Sequence, residues 1–297
     1  MGFQVPVEDP AGDCHDLAVY NYPTIDCGSY EDLDALLPVG TVLVIREPTL
    51  KKATQGPFPM VRVDSPSDLL LIRDGHAALE NVRWKTGTRV RGMPPPPKTV
   101  NEWRIAGNSH FKAGRWLPAA AAYTAGLLVD ADESVLKLNR SEAYLRLSYF
   151  AAALRDAEDV LRCIDPTDPS YQKALLRAAK ALHGLGNYEG ASGKLLELQQ
   201  ANPAGKEVTL WLNRIRARLL ERKEGTYDWC RLFLESKTDP RVDACDYVGP
   251  VVVTTMKERG GGRGVKATSL IRAGELLVRT IINGVIHAQI VDYIQLC

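Results

Sequence analysis

Residues 103–126 read WRIAGNSHFKAGRWLPAAAAYTAG, and their spacing recurs twice downstream, in YLRLSYFAAALRDA at 144–157 and LHGLGNYEGASGKL at 182–195. In each stretch a Gly or Ser (Gly114, Ser148, Gly186) is followed two residues later by an aromatic (Trp116, Phe150, Tyr188) and three further on by an alanine (Ala119, Ala153, Ala191). The markers lie 34 and 38 residues apart, with the four extra residues of the second interval falling most simply in Asp165-Pro166-Thr167-Asp168-Pro169. Self-similarity at this period marks an array of supersecondary units, each covering its neighbour's apolar face. The spacing predicts two helices per unit. The Gly or Ser turns the chain, the aromatic plugs the gap between helices, and the alanine lets them approach closely.

Working outward, Trp211, Ile215 and Leu219 recur every four residues, with Arg214, Arg216, Arg218, Arg222 and Lys223 mostly off that stripe. This reads as an amphipathic helix capping the last apolar face of the array. Upstream, Pro94–Pro97 cannot be helical inside and marks a boundary. Before it, the runs Thr41–Ile45, Met60–Val63 and Leu69–Ile72 lie between Pro, Gly, Asp and Ser and read as strands of a small β module. Residues 1–37 show little periodicity and are expected to be disordered or loosely attached. Downstream, Val251–Thr255 reads as a strand, followed by glycine-rich turns at 260–264 and 271–274 and another strand. The expectation is a multidomain, mainly α chain: an N-terminal segment (1–37), a β module (38–93), a Pro-rich linker (94–98), three helical repeats (99–205), a cap and connector (206–246) and a C-terminal β portion (247–297).

One polar pattern runs through the first helices of the repeats. Arg104 and Asn108 stand 10 and 6 residues before Gly114, Asn139 stands 9 before Ser148, and Lys173 and Arg177 stand 13 and 9 before Gly186. Offsets of 13, 10, 9 and 6 are the i, i+3, i+4 and i+7 positions of one helix face, the face that stacked helix pairs turn toward the concave surface. Two amides that can bond a peptide backbone and three fixed cations suit a carboxylate-rich peptide. Lys180 adds to that charge and Glu142 subtracts from it.

The period and markers resemble the tetratricopeptide repeat over residues 100–203, with Ala106 and Ala131 departing from the usual Leu and Pro, and Arg140-Ser141 from the usual Leu-Gly. The five polar positions resemble the dicarboxylate clamp of tetratricopeptide co-chaperones. That resemblance implies a protein partner whose C-terminus ends in acidic residues, of the Glu-Glu-Val-Asp type found on heat-shock chaperones. Arg104 replaces the usual Lys, preserving charge but not shape. The string GRGVKATSLIRAGELL at 262–277 resembles the opening of a SET domain, the protein-lysine methyltransferase fold. The resemblance implies that Gly262, Arg263 and Gly264 would lie against S-adenosylmethionine, and that Lys266 replaces a commoner aromatic or aliphatic residue.

That family's later motifs, the Asn-His-Ser/Cys segment, the late Tyr and the post-SET cysteines, are missing from the tail RTIINGVIHAQIVDYIQLC, so no catalytic residue is assigned and no cofactor is expected for this chain. His287 and Tyr293 carry no catalytic assignment. An opening without its partner strands predicts unpaired edges over 248–297, and the ending is expected to be that of a fragment, splice form or truncated gene model. A β module, three repeats and a SET opening together resemble fungal-type tetratricopeptide and SET proteins. A purely structural helical scaffold is the remaining alternative.

Composition narrows the field. With 37 Lys+Arg against 36 Asp+Glu the net charge is +1, which argues against a polybasic nucleic-acid binder. The six cysteines (14, 27, 163, 230, 245, 297) form no CxxC pair; Cys14, His15 and Cys27 lack a fourth ligand, so no metal site is assigned. No run of 18 apolar residues exists, and MGFQVPVEDP lacks the basic and apolar regions of a secretory signal. The expectation is an intracellular protein, cytoplasmic or nuclear, with reduced thiols.

Overall fold

The computed structural model describes residues 2–21, 33–34, 37–52, 59–72, 76–85, 97–201, 205–238, 242–257, 260–282 and 285–290. The chain divides into two compact units, Met1–Val160 and Leu161–Cys297.

The first unit opens with strands β1 (Gly2–Glu8) and β2 (Cys14–Tyr20), where the sequence predicts loosely attached chain. They form an antiparallel hairpin with Phe3 opposite Val19 and Val5 opposite Leu17. Four further strands follow: β3 (Val42–Ile45), β4 (Thr49–Lys52), β5 (Pro59–Val63) and β6 (Leu69–Ile72). The sheet order is β1-β2-β5-β4, with β2 and β5 parallel, and β3 pairs separately with β6. The N-terminal hairpin has a physical cause. Phe3, Val5 and Val7 alternate with the exposed Gln4, Pro6 and Glu8, a period-two pattern that buries one face. Pro6 interrupts the pattern to the eye but is tolerated because β1 is an edge strand. Phe3, Leu17 and Val19 pack with Leu33, Val63 and Leu69 into one core, so the β module begins at the N-terminus rather than at residue 38. Of the Pro-rich linker, Pro94 to Pro96 lie outside the described residues.

Helices α1 (Val100–Lys112), α2 (Trp116–Val129), α3 (Ser134–Arg146) and α4 (Phe150–Cys163) follow. Thr99 starts α1 with a reciprocal capping box to Glu102. The second unit holds α5 (Pro169–Gly184), α6 (Tyr188–Ala201), α7 (Lys206–Glu224) and α8 (Trp229–Glu235). Asp168 caps α5, with Pro169 at its first turn.

The three turns between paired helices are built alike. Gly114, Ser148 and Gly186 are all left-handed, with φ of 76°, 59° and 75°. The N–H groups of Arg115, Tyr149 and Asn187 each reach back five residues, to the carbonyls of His110, Tyr144 and Leu182, at 3.0, 2.8 and 2.9 Å. This closure satisfies carbonyls that a helix end leaves without partners. Ala119, Ala153 and Ala191 are completely buried, at 0% exposure each, where paired helices meet. Gly107 makes a second close approach: a Cβ there would stand 2.3 Å from the Tyr123 ring. The equivalent positions are the buried Ser141, whose hydroxyl donates to the Ala153 carbonyl at 2.9 Å, and the buried Ala179. Small size is what all three share.

At the C-terminal side, β7 (Tyr247–Val248), β8 (Val251–Met256), β9 (Gly262–Ala267), β10 (Leu276–Ile282) and β11 (Val285–Ile290) follow. Each of these strands has a partner, β8 with β9 and β10 between β11 and β7, yet among the described residues only β10 is paired on both edges, so the expected open edges remain on the other four. The hairpin β8–β9 also leaves Val252, Val253 and Val265 exposed. His287 lies on β11 opposite Thr280, and Tyr293 is outside the described residues.

Candidate functional site

In the first unit, Arg104 and Asn108 are one turn apart on α1 and Asn139 is on α3. The structure brings the two asparagines together: Asn139 Nδ2 donates to Asn108 Oδ1 at 3.3 Å. The Tyr123 hydroxyl on α2 donates to the same oxygen at 2.8 Å. Both bonds fall on the oxygen, so the Asn108 Nδ2 end is turned away from them and has no partner among the described residues. Arg104 donates to Asn101 Oδ1 on its own helix at 2.6 Å. Glu142 lies 3.3 Å from Arg146, which offsets its charge.

In the second unit, Lys173 and Arg177 lie one turn apart on α5, with Lys173 exposed and Arg177 half-buried. Backbone bonding from Ser170 holds the Asp168 carboxyl below its usual range, with a smaller contribution from Lys173. Lys180 does not add a free charge as expected, because it pairs with Glu207 at 2.8 Å and lies over Trp211.

Sequence reasoning missed a buried ionic cluster on the capping helix. Its stripe is Val208, Leu212 and Ile215, continued by Arg218 and Glu221, only 4% and 5% exposed. Arg218 donates to the Asp243 carbonyl and to Glu221 Oε1 (2.6 Å), and Glu221 Oε2 accepts from the Cys245 N–H at 2.9 Å. Arg214 binds Asp243 Oδ2 at 2.6 Å, and the fully buried Arg279 of β10 donates to the Cys245 carbonyl at 2.6 Å. The helix therefore holds the segment 242–246 through charge, because its backbone, outside any helix or strand, presents carbonyls that need donors. Burial pushes the Glu221 carboxyl up despite the surrounding cations, whereas for Asp243 the effect of burial is outweighed by Arg218 and Arg214 and the group is held low. Burial pushes His183, edge-on between Tyr188 and Trp211, down to about 4. At neutral pH it is uncharged, so its 3.4 Å approach to Asp243 is not an ion pair.

A cleft of about 530 Å³ lies beside this cluster, lined by Arg214, Arg218, Arg231, Glu235 and Asp243 with Thr238 and Val242. Each of its arginines is already matched by a carboxylate: Arg214 with Asp243, Arg218 with Glu221, Arg231 with Glu235. The cleft thus offers no uncompensated charge.

The residues that the SET resemblance sets against S-adenosylmethionine lie in the glycine-rich hairpin. Gly262, Arg263 and Gly264 form the start of β9, opposite Met256, Thr255 and Thr254. A Cβ on Gly262 would meet nothing within 4 Å, but one on Gly264 would stand 2.6 Å from Met256 Cγ. The space that Gly264 leaves is filled by its own hairpin, so these three residues do not by themselves form a cradle for the cofactor.

No protein-family model matches the chain. A methyltransferase of Gibberella zeae is 28% identical over 278 residues, covering 92% of this chain and 36% of that protein. The TPR repeat-containing thioredoxin TTL4 of Arabidopsis thaliana is 36% identical over 127 residues, 43% of this chain and 18% of its own length. The helix pairs of residues 100–201 are tetratricopeptide-like in fold. The chain spans about a third of the Gibberella protein and less than a fifth of the thioredoxin. Among solved structures, the first tetratricopeptide domain of Spaghetti (RPAP3) bound to the HSP90 peptide SRMEEVD is 30% identical, with a TM-score of 0.38, covering 43% of this chain and 98% of that one. Among the described residues, no helix is long and apolar enough to cross a membrane.

Proposed function

We propose that the repeats bind peptides ending in acidic residues, of the Glu-Glu-Val-Asp type. The observation that carries the reading is the Asn108–Asn139 pair, held with an amide donor end unspent on the first helix of the first repeat. Arg104 lies one turn away, and Lys173 and Arg177 occupy the same register on the first helix of the third repeat. Amide donors with fixed cations are the chemistry that a free C-terminal Asp requires. Calorimetric titration of the full chain with a Met-Glu-Glu-Val-Asp peptide tests it. Lys173→Ala or Arg177→Ala should weaken binding at least about tenfold, ~1.4 kcal/mol, and amidating the peptide's C-terminus should do similar damage. Added salt should weaken it too, because the contacts are ionic and partly exposed. Equal affinity for free-acid and amidated peptide would remove the reading. Lys223→Ala is the appropriate control. Arg222 is not, because it pairs with Glu189, donates to the Gly186 carbonyl and lies over Tyr188.

A second reading is S-adenosylmethionine-dependent protein-lysine methylation by a protein that carries this chain together with the catalytic motifs it lacks. The likeness to the Gibberella zeae methyltransferase over 92% of the chain favours it. Residues 1–297 alone should transfer no methyl group from labelled cofactor to histone or chaperone protein, and robust transfer would overturn that expectation.

A further inference from the structure

We infer that Tyr123 is a positioning residue for the proposed peptide site, setting which end of the Asn108 amide faces a ligand; the inference rests on the peptide-binding reading. An asparagine side chain can present its oxygen or its NH2 at nearly the same place, so its direction is decided by its neighbours. Here both neighbours donate, Asn139 through its NH2 and Tyr123 through a hydroxyl that could also accept. The Tyr123 hydroxyl and Asn139 Nδ2 converge on Asn108 Oδ1, at 2.8 and 3.3 Å. The amide reversed would place its NH2 against the NH2 of Asn139. The shorter bond is the tyrosine's, and its geometry is fixed by packing. The ring is 1% exposed and fills the space left by the missing side chain of Gly107, one residue before Asn108. The hydroxyl is particular to the first repeat, because the equivalent positions downstream are Ala157 and Leu195. Tyr123 thus joins a packing role shared by all repeats to a polar role belonging to the repeat that carries Asn108. The consequence is an Asn108 Nδ2 available to donate to a peptide carboxylate, with no rotation needed on binding.

The test is a double-mutant cycle on the full chain. Tyr123→Phe preserves the ring against Gly107 and should weaken the Met-Glu-Glu-Val-Asp peptide about fivefold, the worth of one neutral hydrogen bond. In an Asn108→Ala background the same change should have no further effect on binding, because its route to the ligand is gone. An equal loss in both backgrounds would show a merely structural role and overturn the inference. So would unchanged affinity in Tyr123→Phe while the parent chain binds. A peptide-independent readout separates this from the parent reading. In the free protein, Tyr123→Phe should shift the Asn108 side-chain amide resonances in a 15N spectrum. If the parent chain binds no peptide, the peptide-binding reading fails, and unchanged Asn108 resonances would overturn the Tyr123–Asn108 coupling in its own right.

Discussion

Ser148 shows how much of the repeat depends on single backbone torsions. Its φ of 59° lies where Gly114 and Gly186 sit in the other two turns, and only glycine occupies that region without a steric cost. The hydrogen-bonded closure is the same in all three, so the left-handed conformation is imposed by the turn and not chosen by the serine. Ser148→Gly should therefore raise the unfolding free energy by about 0.5–1 kcal/mol, the relief of strain less the added flexibility of the unfolded chain. Urea denaturation checks it, and a midpoint that falls would mean the serine contributes something the turn geometry does not reveal.

At the scale of an element, the second repeat holds together by a different interaction from its neighbours. Arg140 stands where Ala106 and Ala178 stand in the others. Its guanidinium crosses from α3 to α4 and grips Asp156 through two bonds of 2.7 Å, and a third reaches Thr124 Oγ1 at 3.1 Å. Asp156 is 3% exposed, so the pair is largely out of water. Breaking such a pair costs more than making it gains, because one charge is left buried alone. Asp156→Ala should destabilise the chain by about 2–3 kcal/mol, whereas Arg140→Leu with Asp156→Ala should recover most of that loss. A double variant no more stable than Asp156→Ala would refute this account of the repeat.

At the scale of the whole molecule, acid should weaken the fold in two stages. His183 titrates at about 4 in the folded chain, against 6.5 when exposed, because burial disfavours its cation. Between those values the unfolded chain binds the extra proton, so stability declines as pH falls from about 6.5 toward 4 and then levels off, a loss of up to about 3 kcal/mol. Asp243 has the opposite perturbation, held below its ordinary value by Arg218 and Arg214, and its contribution is lost only at lower pH still, as the carboxylate is protonated. His183→Gln should flatten the first stage and leave the second. A stability profile unchanged by His183→Gln from pH 6.5 to 4 would show that the histidine is not the group responsible.

The repeat was legible because its determinants are local. A left-handed turn, an aromatic and a buried alanine at constant spacing each act within a few residues, and each leaves a mark in the chain itself. The same holds for the clamp-like positions, whose helix register follows from the count to the turn. The N-terminal strands were partly written in the alternation of Phe3, Val5 and Val7, but their sheet is completed by β5, some forty residues away, and no local pattern encodes a parallel pairing of Leu17 with Val61. The burial of Arg218, Glu221 and Arg279 was not legible at all. An arginine beside an apolar stripe reads as a solvated flank, and it becomes interior only when the carbonyls of residues 243 and 245 arrive from a distant segment to satisfy it. The sequence by itself determined the helices, their turns and the register of the candidate binding residues, since these depend on backbone torsions and short-range sterics. Tertiary structure alone decided which polar groups were buried, and that Tyr123 and Asn139 would meet on one oxygen of Asn108, since a hydrogen-bond partner is set by where the folded chain returns.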